Sequence, residues 1–196
     1  GSVTITTDGV FVDLEEPKIS SVTEFKNDLD WFGPTIDGHI FANASDNGGI
    51  TKYEFSIGSS AGLDDIVPWA ESDSNSYLAD VSSLSEDVTY YSNARVTDVV
   101  GNVVTQSSDG FKMDITNPIL GNISIGNEYQ SDTSKVTYVW SDFDDLHSGI
   151  ADYQYSLGTE SGLTDVIPRT SFGLNADFAS VSITIGGLSL QNEQTY

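Results

Sequence analysis

The chain has 196 residues, with 30 acidic side chains against 7 Lys and Arg, a formal charge of −23, and no cysteine. The missing cysteine excludes a disulfide framework, a thiolate zinc site and a cysteine nucleophile. The charge repels nucleic acid and anionic membrane surfaces. No apolar run is long enough to cross a bilayer, and 38% hydrophobic residues with 11% aromatics can supply a packed core.

In chain order, the stretch from Val3 to Pro17 reads as an ending. Its Asp8-Gly9, Asp13 and Pro17 recur with the same spacing as Asp109-Gly110, Asp114 and Pro118. The expectation is a last strand and linker of a preceding module over residues 1–16, a complete β-sandwich module over 17–116, and a second module over 117–196. In the first module, alternation through Ile19, Val22 and Phe25 predicts a strand, though an imperfect one. A polar loop over 26–37 follows, broken at Gly33-Pro34, then a strand over 38–43 and an Asp46-Asn47-Gly48-Gly49 turn.

Tyr53, Phe55 and Ile57 alternate with Lys52, Glu54 and Ser56, the period of a half-buried strand. The Gly58–Gly62 loop leads to Ile66-Val67-Pro68, where proline suits an edge. Residues 76–81 form a weak strand. Residues 89–98 form a strong one that offers Tyr91, Ala94 and Val96 to the core, and a turn at 99–102 leads to a strand from Val103. Strands this short, with turns this frequent and no helix of credible length, argue an all-β sandwich.

The segment Tyr53–Pro68 returns one hundred residues later as Tyr153–Pro168, each copy after a Gly-Ile pair. The second module repeats the order through Ile123, Val136–Trp140, Tyr153–Leu157 and Phe178–Ile185, and Thr195-Tyr196 match Thr89-Tyr90. The strands after Tyr196 are thus expected to be missing from this stretch, which suits a fragment of a longer array. A rival expectation is strand donation by Val3–Val12 to another chain, weakened because one donated strand would leave a gap.

Leu84 to Tyr90 and Leu190 to Tyr196 share one spacing. In the first module it is followed by Asp98 and Gly101-Asn102. With Trp140 (Phe41 in the first copy) this resembles a fibronectin type III module. Ser148-Gly149-Ile150, the Tyr153–Thr159 segment and Asp-x-x-Gly-Asn at 98–102 resemble the tandem fibronectin III-like or immunoglobulin-like repeats of large bacterial secreted and surface proteins. The resemblance implies tandem β-sandwich modules outside the cell, serving as stalk, filament or adhesin. The implied partners are neighbouring repeats or other surface proteins, with no nucleic acid and no membrane insertion.

Gly58-x-Ser60-x-Gly62 fits a hydrolase elbow, but that elbow needs a strand-to-helix turn and a histidine base. The other copy carries Glu160 where the serine should stand, so no catalytic residue is expected. Hard cations take oxygen ligands from acidic turns. The candidates for calcium are Asp46, Asp98 and Asn102, and Asp142, Asp144 and Asp145 in the turn before the second Gly-Ile pair. Asp13, Glu15 and Glu16 at the first linker are further ones. Trp31 and Trp69 lie where the copies differ and could stack on sugars. The alternative function is therefore a carbohydrate-binding or spacer module beside a secreted hydrolase, with glycans as partners.

Overall fold

The computed structural model describes residues 2–10, 12–24, 28–33, 38–126, 129–172 and 180–196. Among them there are strands and turns and no helix. The expectations placed on Phe25, Pro34 and Phe178 lie outside the described residues. The chain divides into two compact units, Gly1–Ile115 and Thr116–Tyr196.

The first unit contains β1 (Lys18–Glu24), β2 (Trp31–Phe32), β3 (Gly38–Ser45), β4 (Ile50–Gly58), β5 (Val67–Ser72), β6 (Ser76–Ala79), β7 (Thr89–Asp98), β8 (Val103–Ser107) and β9 (Phe111–Met113). One sheet has the order β1-β3-β6, the other β2-β9-β7-β4-β5 with β8 also paired to β7. Their inner faces share a core of Val22, Ile40, Ala42 and Ala79 from the first sheet with Phe32, Phe55, Ile57, Ala94 and Phe111 from the second. Each large side chain buried there stabilises the unit by about 2 kcal/mol. Strand period 2 explains this partition, since alternate side chains reach the same face.

The imperfect alternation of β1 has a structural cause. Its register against β3 shifts between Ile19 and Ser21. The extra residue of such a bulge puts Ile19 back on the face of Val22, and Ile19 packs against the core. On β7 the expected core residue Tyr91 is corrected to Tyr90, which is 5% exposed, whereas Tyr91 is half-buried. The parity of Tyr90, Ser92, Ala94, Val96 and Asp98 fixes the inward face. The loop expected over 26–37 also hides a strand. Phe32 of β2 is 1% exposed and stacks on Phe111 at 4.6 Å, and β2 runs parallel to β9.

The second unit contains β10 (Asn122–Ile125), β11 (Lys135–Ser141), β12 (Gln154–Leu157), β13 (Ile167–Ser171) and β14 (Ser180–Gly186), in sheets β10-β11-β14 and β12-β13. Its core gathers Val136, Tyr138, Trp140, Leu157, Ile167 and Val181. Trp140 is buried, and Phe41 is half-buried between the buried Ile40 and Ala42. The proposed equivalence of Trp140 with Phe41 is therefore off by one residue, because a one-residue slip turns a strand over. Whereas β4 is paired on both edges, β12 is paired to β13 alone among the described residues. A cavity of about 440 Å³ lined by Ile123, Tyr138, Trp140, Tyr153 and Tyr155 opens in this unit.

Residues 2–10 and 12–17 join no sheet, and Val3, Ile5, Val10 and Val12 are exposed.

Candidate metal centre

Two tight turns build the site. After β3, the Asp46 side chain closes its own turn. Its Oδ1 accepts the N–H groups of Gly48 at 2.7 Å and Gly49 at 3.1 Å. After β7, Asp98 does the same more fully. Its Oδ1 accepts the N–H groups of Val100, Gly101 and Asn102 at 2.8, 2.7 and 2.9 Å. The Val99 N–H donates to the Gly49 carbonyl, so the two turns are tied together. Aspartate suits both places because its short carboxylate reaches backbone N–H groups two to four residues on.

The third carboxylate comes from far away in sequence. Asp13 Oδ1 accepts the Glu15 N–H at 3.1 Å, while its Oδ2 is buried without a hydrogen-bond partner. A Cβ added at Gly48 would stand 3.0 Å from that oxygen, so a larger residue there would push the Asp13 carboxylate back by a few tenths of an ångström. One carboxylate oxygen each from Asp13, Asp46 and Asp98 lies within 4.8 Å of the other two. Asn102 holds the arrangement: its Nδ2 donates to Asp98 Oδ2 and to the Glu15 carbonyl, both at 2.8 Å.

Asp98 is 1% exposed. Burial pushes its carboxyl upward, but donation from Asn102 and from the turn N–H groups outweighs that and holds it below the usual carboxylate range. It is therefore an anion at neutral pH. Among the described residues no lysine or arginine forms an ion pair with any of the three acids. Calcium–oxygen distances of about 2.3–2.6 Å would let one ion touch three oxygens spaced this way, with water or carbonyls completing six to eight ligands. The donor set is all oxygen, which suits a hard cation.

The structure thus brings together Asp46 and Asp98, adds Asp13, and makes Asn102 a clamp. Asp142, Asp144 and Asp145 do not converge as a set of three within 4.8 Å. Asp142 Oδ2 accepts from Asn122 and Ser141, and Asp144 Oδ1 accepts the Asp145 N–H. Asp145 Oδ1 accepts the N–H groups of His147 and Gly149, which makes it the counterpart of Asp46 in the second unit. The signal for Asp13 was its place at the linker, and nothing local paired it with a particular turn.

The two tryptophans each have a cation over the ring. The Arg95 guanidinium lies 4.4 Å from the Trp69 centroid, and Lys112 Nζ lies 5.3 Å from that of Trp31. A sugar stacking on those faces would have to displace them. Ser60 sits in the exposed turn between β4 and β5, where its carbonyl accepts the Leu63 N–H. Comparisons with protein-family models, curated proteins and solved structures find no match to this chain.

Proposed function

We propose that the chain is a non-enzymatic structural and adhesive part of a bacterial surface or secreted protein, built from tandem fibronectin type III-like modules and fastened by calcium. The observation that carries this reading is the meeting of Asp13 with Asp46 and Asp98. A cation there joins the segment that enters a module to two turns of the module itself. The segment that enters the module then has little freedom left.

Two further features support the module type. Two facing sheets, β1-β3-β6 and β2-β9-β7-β4-β5 with β8 also on β7, suit a Greek-key sandwich of this kind. In each unit a tyrosine hydroxyl accepts a backbone N–H five residues upstream: Ser85 to Tyr90 at 3.0 Å and Gln191 to Tyr196 at 2.6 Å. Such a bond is what a tyrosine corner in a sandwich of this kind would make. The charge of −23 keeps neighbouring copies apart and favours cations.

Backbone hydrogen exchange with and without calcium tests the reading. Calcium should slow exchange at 13–16, 46–49 and 98–102 together, and Asp13→Ala should abolish the slowing at all three. Equal exchange with calcium or EDTA defeats it. A glycan array separates the alternative. Specific sugar binding lost in Trp69→Ala would make this a carbohydrate-binding module.

A further inference from the structure

A second group of carboxylates sits elsewhere in the first unit. Glu24, at the end of β1, is 1% exposed. Its Oε1 accepts the Ser108 hydroxyl at 2.6 Å, but its Oε2 is buried with no hydrogen-bond partner. The Ser92 hydroxyl is near the same carboxylate and likewise completes no hydrogen bond. An orphaned polar oxygen in such a place is costly, and buried polar groups are rarely left without a partner.

The orphan does not face apolar side chains alone. Carboxylate oxygens of Glu24, Asp28 and Asp109 lie within 4.8 Å of one another, and among the described residues no basic side chain forms an ion pair with any of them. Glu24 is the floor, and the exposed Asp28 and Asp109 form the rim. Ser108 is itself fastened, donating its N–H to the Ser92 carbonyl and accepting the Ser92 N–H at its hydroxyl. The buried ligand is thus set by β1 and oriented by a serine pair that bridges β7 and the segment after β8. Burial lifts the Glu24 carboxyl, and burial followed by the charges of Asp109 and Asp30 lifts that of Asp28.

The geometry points to a second calcium-class cation site, with Glu24, Asp28 and Asp109 as its carboxylate ligands and water at its open side. One buried and two solvated carboxylates can surround a hard ion from below while leaving it a path in. The ion would supply the partner that Glu24 Oε2 lacks. It would also pin Asp28, itself in the left-handed region (φ 53°), to the Asp109-Gly110 turn.

Calorimetric titration of the metal-stripped whole chain with calcium chloride tests this. Glu24→Gln keeps the shape and the bond from Ser108. Asp28→Asn keeps a residue that tolerates positive φ. Each should remove one equivalent of calcium per chain relative to the parent. Asp13→Ala should leave that equivalent in place, so this site and the one at Asp13 stand or fall separately. If Glu24→Gln and Asp28→Asn both bind calcium as the parent does, the proposal is overturned. Glu24 is then a neutral buried acid, and Glu24→Gln should melt at or above the parent temperature.

Discussion

The side chain of Asn93 grips the Gly62 loop from beneath: its Oδ1 accepts the Gly62 N–H at 2.7 Å, and its Nδ2 donates to the adjoining Leu63 carbonyl at 2.6 Å. Asn93 is fully buried, and Ser107 also donates to its Oδ1 at 2.6 Å. Replacing it by leucine would leave several buried polar groups without partners. Asn93→Leu should destabilise the first unit by about 3 kcal/mol, read as a lower urea midpoint with an unchanged slope.

The same loop depends on glycine at its entry. A Cβ at Gly58 or Gly158 would collide with the backbone of Leu63 or Leu163, and backbone cannot step aside as a side chain does. Gly58→Ala should cost about 3 kcal/mol. Gly126→Ala, with open space around it, should cost under about 1 kcal/mol. Thermal melting of the two variants side by side measures the difference.

Glu54 and Arg95 face each other across β4 and β7, with Nε–Oε2 at 2.9 Å and Nη2–Oε1 at 2.8 Å. Donation from Arg95, opposed by burial and aided by Lys52, holds the Glu54 carboxyl below its ordinary value of 4.5. The unfolded chain therefore takes up this proton first as pH falls. The pair's stabilisation is complete above about pH 4.5 and is lost as pH drops through the lower folded value. A double-mutant cycle with Glu54→Gln and Arg95→Gln should give about 1 kcal/mol at pH 7 and progressively less on acidification below pH 4.5.

Calcium should raise the melting temperature of the first unit and EDTA should reverse the rise. At an ion concentration one hundred times its dissociation constant, one site contributes about 2.7 kcal/mol. For a unit of this size that is on the order of 10–20 °C. Differential scanning calorimetry at fixed ionic strength separates it from general screening of the acidic surface.

Strand identity was legible where apolar and polar residues alternate, as on β4, where Tyr53, Phe55 and Ile57 alternate with Lys52, Glu54 and Ser56 and Phe55 and Ile57 lie inside. The shared spacing of Leu84 to Tyr90 and Leu190 to Tyr196 was legible because it is local in sequence, and in both copies the tyrosine hydroxyl accepts a backbone N–H five residues upstream. Phe32 was not: a two-residue strand has no periodicity, and its parallel partner Lys112-Met113 is remote in sequence. The bulge in β1 and the inward turn of Tyr90 over Tyr91 shift parity by one, which neighbouring aromatics cannot reveal. At the candidate centre, Asp46 and Asp98 were legible as turn acids. Their meeting with Asp13 depends on β4 pairing β7, which sets Ile50 opposite Asp98 and brings the turn after β3 beside the turn after β7, a property of the sheet and not of any short pattern.

The bond from Asn102 to the Glu15 carbonyl also decides where tension would enter this unit. A pull on the backbone ahead of Asp13 reaches the turn after β7 before it reaches β1. β1 is the outer strand of its sheet and could be peeled off one hydrogen bond at a time. β7 lies inside the larger sheet, bonded to β4 on one side and to β8 and β9 on the other. Its bonds would have to shear together, so the strap at Glu15 turns an unzipping geometry into a shearing one.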